Sequence, residues 1–280
     1  MASERKPPRS EPAGSQKHGQ EPIKRGEGAV AAPATTGSAP AASRSSDADV
    51  AAFVAGLRAR APASGTAGVG RLIFAMDATM SRQPTWDMAL ALQSEMFIAV
   101  KAVGGLDVQL VYFRGSGECR ASKWVSDPDQ LARLMTTVDC RGGHTQIGKV
   151  LSHARSEGGA RKINALVYVG DAMEENIDDL CAKAGELQLL GVPVFLFQEG
   201  RDARAETAFR ELARLTNGAW CRFDAGAAAQ LRELLTAVAV YAAGGRKALE
   251  ALTHGRGSDG ARRILAALPA PVSGAAKGQR

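Results

Sequence analysis

Short runs of apolar residues alternate with longer amphipathic segments through the middle of this 280-residue chain. The runs are continuous in apolar character, which is typical of strands buried on both faces of a sheet. Five of them lie at 71–76, 107–113, 163–169, 192–197 and 219–223. The intervening segments repeat apolar residues at helical spacing, as Ile147, Val150, Leu151 and Ala154 do. The pattern therefore predicts strands that are linked by helices.

This alternation predicts an α/β domain over residues 65–245. Its core would be a doubly wound, mostly parallel sheet of Rossmann-like type with helices on both faces. Segment 118–125 is predicted as an edge strand and brings the count of strands to six. The domain is large enough for a single hydrophobic core.

The ends of the chain differ from this middle part in composition. Residues 1–46 hold six of the twelve prolines and few large aliphatic residues, so they are predicted to be a disordered tail. Residues 47–64 are predicted to be a flanking helix and a linker. Residues 246–280 are predicted to be a C-terminal tail, within which 261–268 is a candidate short helix.

The net charge of +6 belongs to the tails. Residues 1–46 carry seven Lys/Arg and four Asp/Glu, and residues 253–280 carry five and one. The remaining middle part holds 23 basic and 24 acidic residues. A folded nucleic-acid-binding domain usually carries its own basic patch, so nucleic-acid binding is expected only through the tails.

Composition also argues against a membrane or secreted protein. No run approaches the ~18 apolar residues of a membrane helix, and the first residues lack the apolar core of a signal peptide. The four cysteines form no CxxC pair and are expected to be reduced thiols that act as small hydrophobic side chains. We therefore expect a cytoplasmic protein with no membrane partner.

Polar residues with oxygen-bearing side chains occur in three loops of the predicted domain. Asp77, Thr79 and Ser81 come directly after the first strand, Thr145 follows a Gly-Gly pair, and Asp171 ends strand 163–170. The carboxyl ends of parallel strands meet at one edge of a sheet, where ligands bind in such folds. All of these side chains present hard oxygen donors, which suit Mg²⁺, Mn²⁺ or Ca²⁺ rather than zinc.

This set resembles the metal-ion-dependent adhesion site of the von Willebrand factor type A (VWA) domain, over about residues 70–240. The family motif is Asp-x-Ser-x-Ser, then a Thr after a glycine-rich loop, then an Asp at a strand end. The resemblance implies that the five matching residues bind one divalent cation and that an Asp or Glu of a partner protein completes its coordination. Thr79 replaces the commoner Ser, and Ala172 stands where the family often has Gly. Alanine would be strained if that position required a positive φ.

Two other functions compete with this hypothesis. The domain could be a metal-free interaction scaffold, with Asp77 serving only to shape its loop. It could also be a Mg²⁺-dependent phosphohydrolase of the haloacid dehalogenase type, but Thr79 stands where such enzymes need a second Asp. No Walker-A loop, strand-linked GxGxxG or GxSxG motif is present. We therefore expect a binding module and not an enzyme.

Charged residues flank the predicted site. The acidic residues of the 174–179 segment are expected to complement the positive end of the helix that follows, with a contact of Glu174 or Glu175 to the metal as the alternative. The arginines near the same edge are expected to be solvated, or else to form a rim that attracts an acidic partner. These residues are Glu174, Glu175, Asp178 and Asp179, and Arg82, Arg114 and Arg141.

Overall fold

The computed structural model of the protein describes residues 69–255 and 258–270. The predictions for the tail at 1–46 and for the helix and linker at 47–64 lie outside the described residues, as does segment 271–280. Within the described part of the chain, no helix combines the length and apolar character that crossing a membrane requires.

Six strands form one sheet in the order β3-β2-β1-β4-β5-β6. They are β1 (Val69–Asp77), β2 (Gly105–Arg114), β3 (Glu118–Ala121), β4 (Ala165–Gly170), β5 (Val194–Glu199) and β6 (Ala219–Phe223). All neighbours are parallel except β2 and β3, which form an antiparallel hairpin. The predicted six-stranded, doubly wound α/β fold is therefore confirmed. The edge strand is shorter than predicted, since beyond Ala121 only Val125 makes an isolated bridge, to Val108.

Helices cover both faces of the sheet, as the continuous apolar strands require. They are α1 (Gln83–Val100), α2 (Pro128–Thr136), α3 (Ile147–Ala160), α4 (Ile177–Leu189), α5 (Ala203–Leu215), α6 (Ala228–Leu252) and α7 (Asp259–Ala267). Helices α1, α2, α6 and α7 pack on one face, and α3, α4 and α5 pack on the other. Alternate residues of each strand supply the two cores.

The C-terminal part of the domain extends beyond the predicted boundary at residue 245. Helix α6 breaks at Gly245, where φ is 68°, but it resumes and ends at Leu252. Helix α7 then packs on α6 with Ile264 fully buried, and the guanidinium of Arg263 donates to the carbonyl of Arg222 on the edge strand β6. Residues 246–252 and 258–268 thus belong to the folded domain, and the candidate helix at 261–268 is observed as α7.

The chain reverses direction across the sheet between β1 and β4. From β1 it passes through α1 to β2 on one side, and after β3 it returns to place β4 on the other side of β1. The loops after β1 and β4 therefore leave the sheet side by side. In α/β folds such a switch point forms the crevice in which ligands bind.

Candidate metal centre

The predicted ligands stand on loops that meet at this switch point. Asp77 is the last residue of β1, and Met76 pairs with Val169 in the neighbouring strand β4. Asp77 is thus level with Gly170, and Asp171 follows immediately. The two carboxylates of the predicted set therefore leave adjacent strands at the same level.

The loop after β1 folds back on the Asp77 carboxylate. The Thr79 amide donates to Asp77 Oδ1 at 2.7 Å, and the hydroxyl oxygens of Thr79 and Ser81 are 3.3 Å apart. Residues Met80–Arg82 form one turn of 3₁₀ helix that leads directly into α1. This loop thus ties the Thr79 amide to Asp77 and brings the hydroxyls of Thr79 and Ser81 near each other.

Asp77 is a buried carboxylate whose charge is compensated only in part, by hydrogen bonds from Thr79 and by the positive charge of Arg82. Its residue is only 3% exposed, and desolvation raises the pKa of its carboxyl from 3.8 to about 6. Hydrogen bonds from Thr79 lower this pKa, whereas the nearby charge of Asp171 raises it further. A cation at this position would remove the cost of burying the charge, so the environment of Asp77 fits a bound metal ion.

A buried tyrosine lies near these carboxylates. Tyr168 of β4 stacks on Phe113 and is fully enclosed, and its hydroxyl has no hydrogen-bond partner among the described residues. Burial raises the pKa of Tyr168 well above 10.0, and the negative charge of Asp77 adds to this. A Cβ on Gly170 would come within 2.8 Å of the Tyr168 ring and hydroxyl, so glycine is needed there.

The second loop, which carries Thr145 between α2 and α3, is fixed by a close approach of two backbones. A Cβ on Gly143 would stand 2.3 Å from the Gly115 nitrogen, so only glycine fits beside the end of β2. Nearby, the Gln146 amide donates to the carbonyls of Arg114 and Gly115 at 3.2 and 3.3 Å. This anchoring places Thr145 in a buried position at the start of α3.

Thr145 is joined to the third loop by two reciprocal hydrogen bonds. Its hydroxyl accepts from the Glu174 amide at 3.1 Å, and its amide donates to Glu174 Oε2 at 3.2 Å. The Glu175 carboxylate accepts from the first amides of α3, those of Ile147 and Gly148. Burial raises the pKa of Glu175, and these amide hydrogen bonds oppose that rise.

The acidic run therefore divides between two helices, and the prediction for its first half is wrong. Glu175 binds the first amides of α3, which comes before it in the chain, and Glu174 contacts His144 and Thr145 in the loop that precedes that helix. Neither carboxylate caps α4. Asp178 and Asp179 lie in the first turn of α4, as predicted, and the Asn176 side chain caps that helix. The sequence offered no signal for the long-range contact to α3.

The third loop, between β4 and α4, carries Asp171. Its carboxylate pairs with Arg82, which the sequence predicts at the rim of the site. The Arg82 guanidinium lies 3.3 Å from Asp171 Oδ2 and also pairs with the buried Glu199 at the end of β5. Glu199 accepts a second hydrogen bond from the Thr85 hydroxyl. Arg82 is thus a buried counter-ion, and neither Glu199 nor Thr85 was singled out from the sequence.

The other two arginines also depart from a simple charged rim. Arg114 is largely buried and donates to Glu118 and to the Asp139 carbonyl. Arg141 alone of the three has an exposed side chain, 3.5 Å from Asp139. The expected basic rim therefore reduces to Arg141.

Ala172 adopts an ordinary backbone conformation. Among the non-glycine residues that the structure describes, only Asn217 has a positive φ. The position after Asp171 therefore does not require glycine, and the strain anticipated for alanine is absent.

The donor set of these loops fits a hard divalent cation. The predicted ligands that these loops carry are carboxylates and hydroxyls, the usual ligands of Mg²⁺ and Ca²⁺. No group of three or more His, Cys, Asp or Glu residues suited to a metal occurs within 69–255 and 258–270. Burial raises the pKa of the nearby Cys140 thiol to about 11, which keeps it protonated and a poor ligand.

Solved structures whose fold is similar to that of this chain include VWA domains. The match to "von Willebrand factor type A from Catenulispora acidiphila" has a TM-score of 0.54 and 15% identity, and covers 65% of this chain and 44% of that chain. The chain has a VWA-like fold. The ArnB paralog VWA2 from Sulfolobus acidocaldarius matches at a TM-score of 0.44 and 15% identity, covering 62% of this chain and 46% of that chain.

The likeness to these structures concerns the fold alone. The SpRpn10 VWA domain matches at a TM-score of 0.45 and 11% identity, covering 56% of this chain and 88% of that chain. The region that matches the Catenulispora structure spans less than half of that chain. No protein-family model and no curated protein matches this sequence.

The close approach at Gly143 yields a test with a matched control. Gly143→Ala should displace the loop that carries Thr145, because its Cβ would collide with the Gly115 backbone. We expect a loss of about 2–4 kcal/mol in the free energy of unfolding, measured by urea denaturation. Gly142→Ala meets nothing within 4 Å and has no positive φ, so it should change stability by less than about 1 kcal/mol. Equal effects of both changes would contradict this account of the loop.

The buried Asp77 carboxylate yields a pH-dependent test. Its pKa of about 6 in the folded chain lies above the ordinary 3.8, so protonation favours the fold and ionisation at pH 7 costs stability. In EDTA at pH 7, Asp77→Asn should therefore raise the free energy of unfolding by about 1–3 kcal/mol. The gain should shrink as the pH falls towards about 5. A variant less stable than the wild type at both pH values would show that the charge is already compensated.

Proposed function

We propose that this chain is a protein-interaction module whose VWA-like domain binds a carboxylate of a partner protein through one divalent cation. Mg²⁺ is the expected ion, and Mn²⁺ and Ca²⁺ are alternatives of the same chemistry. When bound, the ion would supply a positive charge with an open coordination position. The residues that would hold it are Asp77, Thr79, Ser81, Thr145 and Asp171.

The observation that carries this proposal is the burial of Asp77 at the switch point of the sheet. A carboxylate with a raised pKa costs folding energy at neutral pH. Such a cost is expected at functional sites, where buried charge is balanced by a ligand. The Thr79 amide donates to Asp77, and the Thr79 hydroxyl lies 3.3 Å from that of Ser81, so this loop can add neutral oxygen donors.

The balance of charges in the set favours an acidic partner. Two carboxylates carry just enough charge to neutralise a divalent cation, and Asp171 already shares its charge with Arg82. The ion would keep positive character, and a carboxylate from outside would complete its coordination. The Met80 side chain is 70% exposed between Thr79 and Ser81, so it offers the partner an apolar contact beside the ion.

The competing functions make different use of the same loops. A metal-free scaffold would bind its partner without the cation, and the Arg82–Asp171 ion pair is the feature that favours it. A phosphohydrolase of the haloacid dehalogenase type needs an acid two residues after the nucleophile. Thr79 stands there, and its hydroxyl cannot donate a proton as a carboxylic acid does.

Cation-dependent capture of a partner tests the proposal. We expect proteins retained on the immobilised chain in Mg²⁺ to elute with EDTA, and Asp77→Ala and Thr145→Ala to abolish this retention. Thr207→Ala is a matched control, because its exposed hydroxyl bonds only to the Ala203 carbonyl in α5. The binding of an identified partner should then depend on one of its own Asp or Glu residues.

Two outcomes would count against the proposal. Partner binding that survives both EDTA and Asp77→Ala would make the domain a metal-free scaffold. Retention that is lost when 1–46 and 271–280 are deleted, but not when the cation is removed, would move the binding function to the ends of the chain. Helix α7 is kept in that deletion because it belongs to the folded domain.

A further inference from the structure

Arg82 occupies an unusual position for a charged side chain. Its residue is 9% exposed, and its guanidinium lies between the carboxylates of Asp171 and Glu199. It also donates to the Ser81 carbonyl at 3.2 Å. The same arginine thus touches two of the residues proposed to hold the cation, Asp171 through its carboxylate and Ser81 through its backbone.

The two ion pairs of Arg82 differ in how firmly they are held. The Glu199 side chain is 6% exposed, stands at the end of β5, which lies between β4 and β6, and is fixed by the Thr85 hydroxyl. The Asp171 side chain is 30% exposed and stands on a loop. Glu199 is therefore the permanent partner of Arg82, and Asp171 is the partner that can be exchanged.

We propose that Arg82 is an internal competitor for the cation: it holds Asp171 in the cation-free protein and must give it up when a divalent ion binds. This inference rests on the proposed function. It adds that the free domain binds its cation weakly and that the partner's carboxylate supplies the charge needed for tight binding. The cation and the partner would therefore bind cooperatively.

Elementary electrostatics supports the competition. A divalent ion that uses Asp171 would lie close to the buried guanidinium, and like charges repel more strongly at a buried site than in water. Binding also exchanges the Arg82–Asp171 ion pair for a contact with the metal. Both effects oppose the cation, and a partner carboxylate would offset both by adding one negative charge.

A double substitution separates competition from mere structural support. In Arg82→Met with Glu199→Gln, one positive and one negative charge are removed together, so the local net charge is unchanged. Replacing a buried ion pair by neutral residues of similar volume is often tolerated. The amide of residue 199 can still accept from Thr85. The main change is therefore that Asp171 is released.

Glu199→Gln alone serves as the opposing variant. It removes the permanent partner of Arg82 and leaves the full positive charge beside Asp171. It should therefore strengthen the ion pair between Arg82 and Asp171 and weaken cation binding. A purely structural role of the Arg82–Glu199 pair would instead make both variants bind the cation more weakly.

Isothermal titration calorimetry of the full chain with Mn²⁺ is the experiment. Relative to the wild type, we expect Arg82→Met with Glu199→Gln to bind Mn²⁺ about tenfold more tightly and Glu199→Gln to bind it at least about threefold more weakly. Asp77→Ala should bind none. Circular dichroism checks that each variant is folded. If the double variant is unfolded, Arg82→Lys replaces it. The shorter reach of an ammonium group lets it pair with Glu199 alone and leaves Asp171 free, so this variant should also bind Mn²⁺ more tightly than the wild type.

The possible results separate this inference from the proposed function. Unchanged or weaker Mn²⁺ binding by every folded Arg82 variant, with a wild type that binds, would overturn the competition alone. If neither the wild type nor any variant binds Mn²⁺, even when acetate is added as a simple carboxylate, both the competition and the cation-dependent function are wrong. Tighter binding by the double variant together with weaker binding by Glu199→Gln would support both.

Discussion

The burial of one carboxylate at the end of β1 is the constraint on which the rest of the site depends. Asp77 is enclosed because β1 is the central strand on which the sheet reverses, with β2 on one side and β4 on the other. Desolvation raises the pKa of its carboxyl to about 6, and the nearby hydrogen bonds compensate only in part. Because burying the ionised Asp77 costs stability, a cation bound beside this carboxylate would stabilise the fold.

The surrounding loops are organised so that oxygen atoms stay near that position. Gly143 lets the second loop approach the end of β2, and Thr145 is tied to Glu174 in the third loop. Glu175 in turn holds the N-terminus of α3 through backbone amides. Glu174 and Glu175 thus connect the third loop to the second loop and to α3 through hydrogen bonds.

The sequence was sufficient to predict the architecture and the positions of two acidic residues at strand ends. Continuous apolar strands that alternate with amphipathic helices have few solutions other than a covered parallel sheet, and Asp77 and Asp171 follow directly from the strand ends. Arg82 and Glu199 could not be paired from the sequence, because 117 residues separate them and nothing local marks either side chain as buried. The cap that Glu175 provides for α3 depends on a tertiary contact for the same reason.

The central claim is that a divalent cation binds where the three loops meet, and backbone amide NMR of the full chain tests it most directly. Titration with Mg²⁺ in the millimolar range, in the presence of acetate as a simple carboxylate, should shift the amide signals of residues 77–82, 142–145 and 171–172. EDTA should reverse these shifts, and Asp77→Ala should prevent them. Shifts that are absent, or that are confined to other parts of the sheet, would contradict the account.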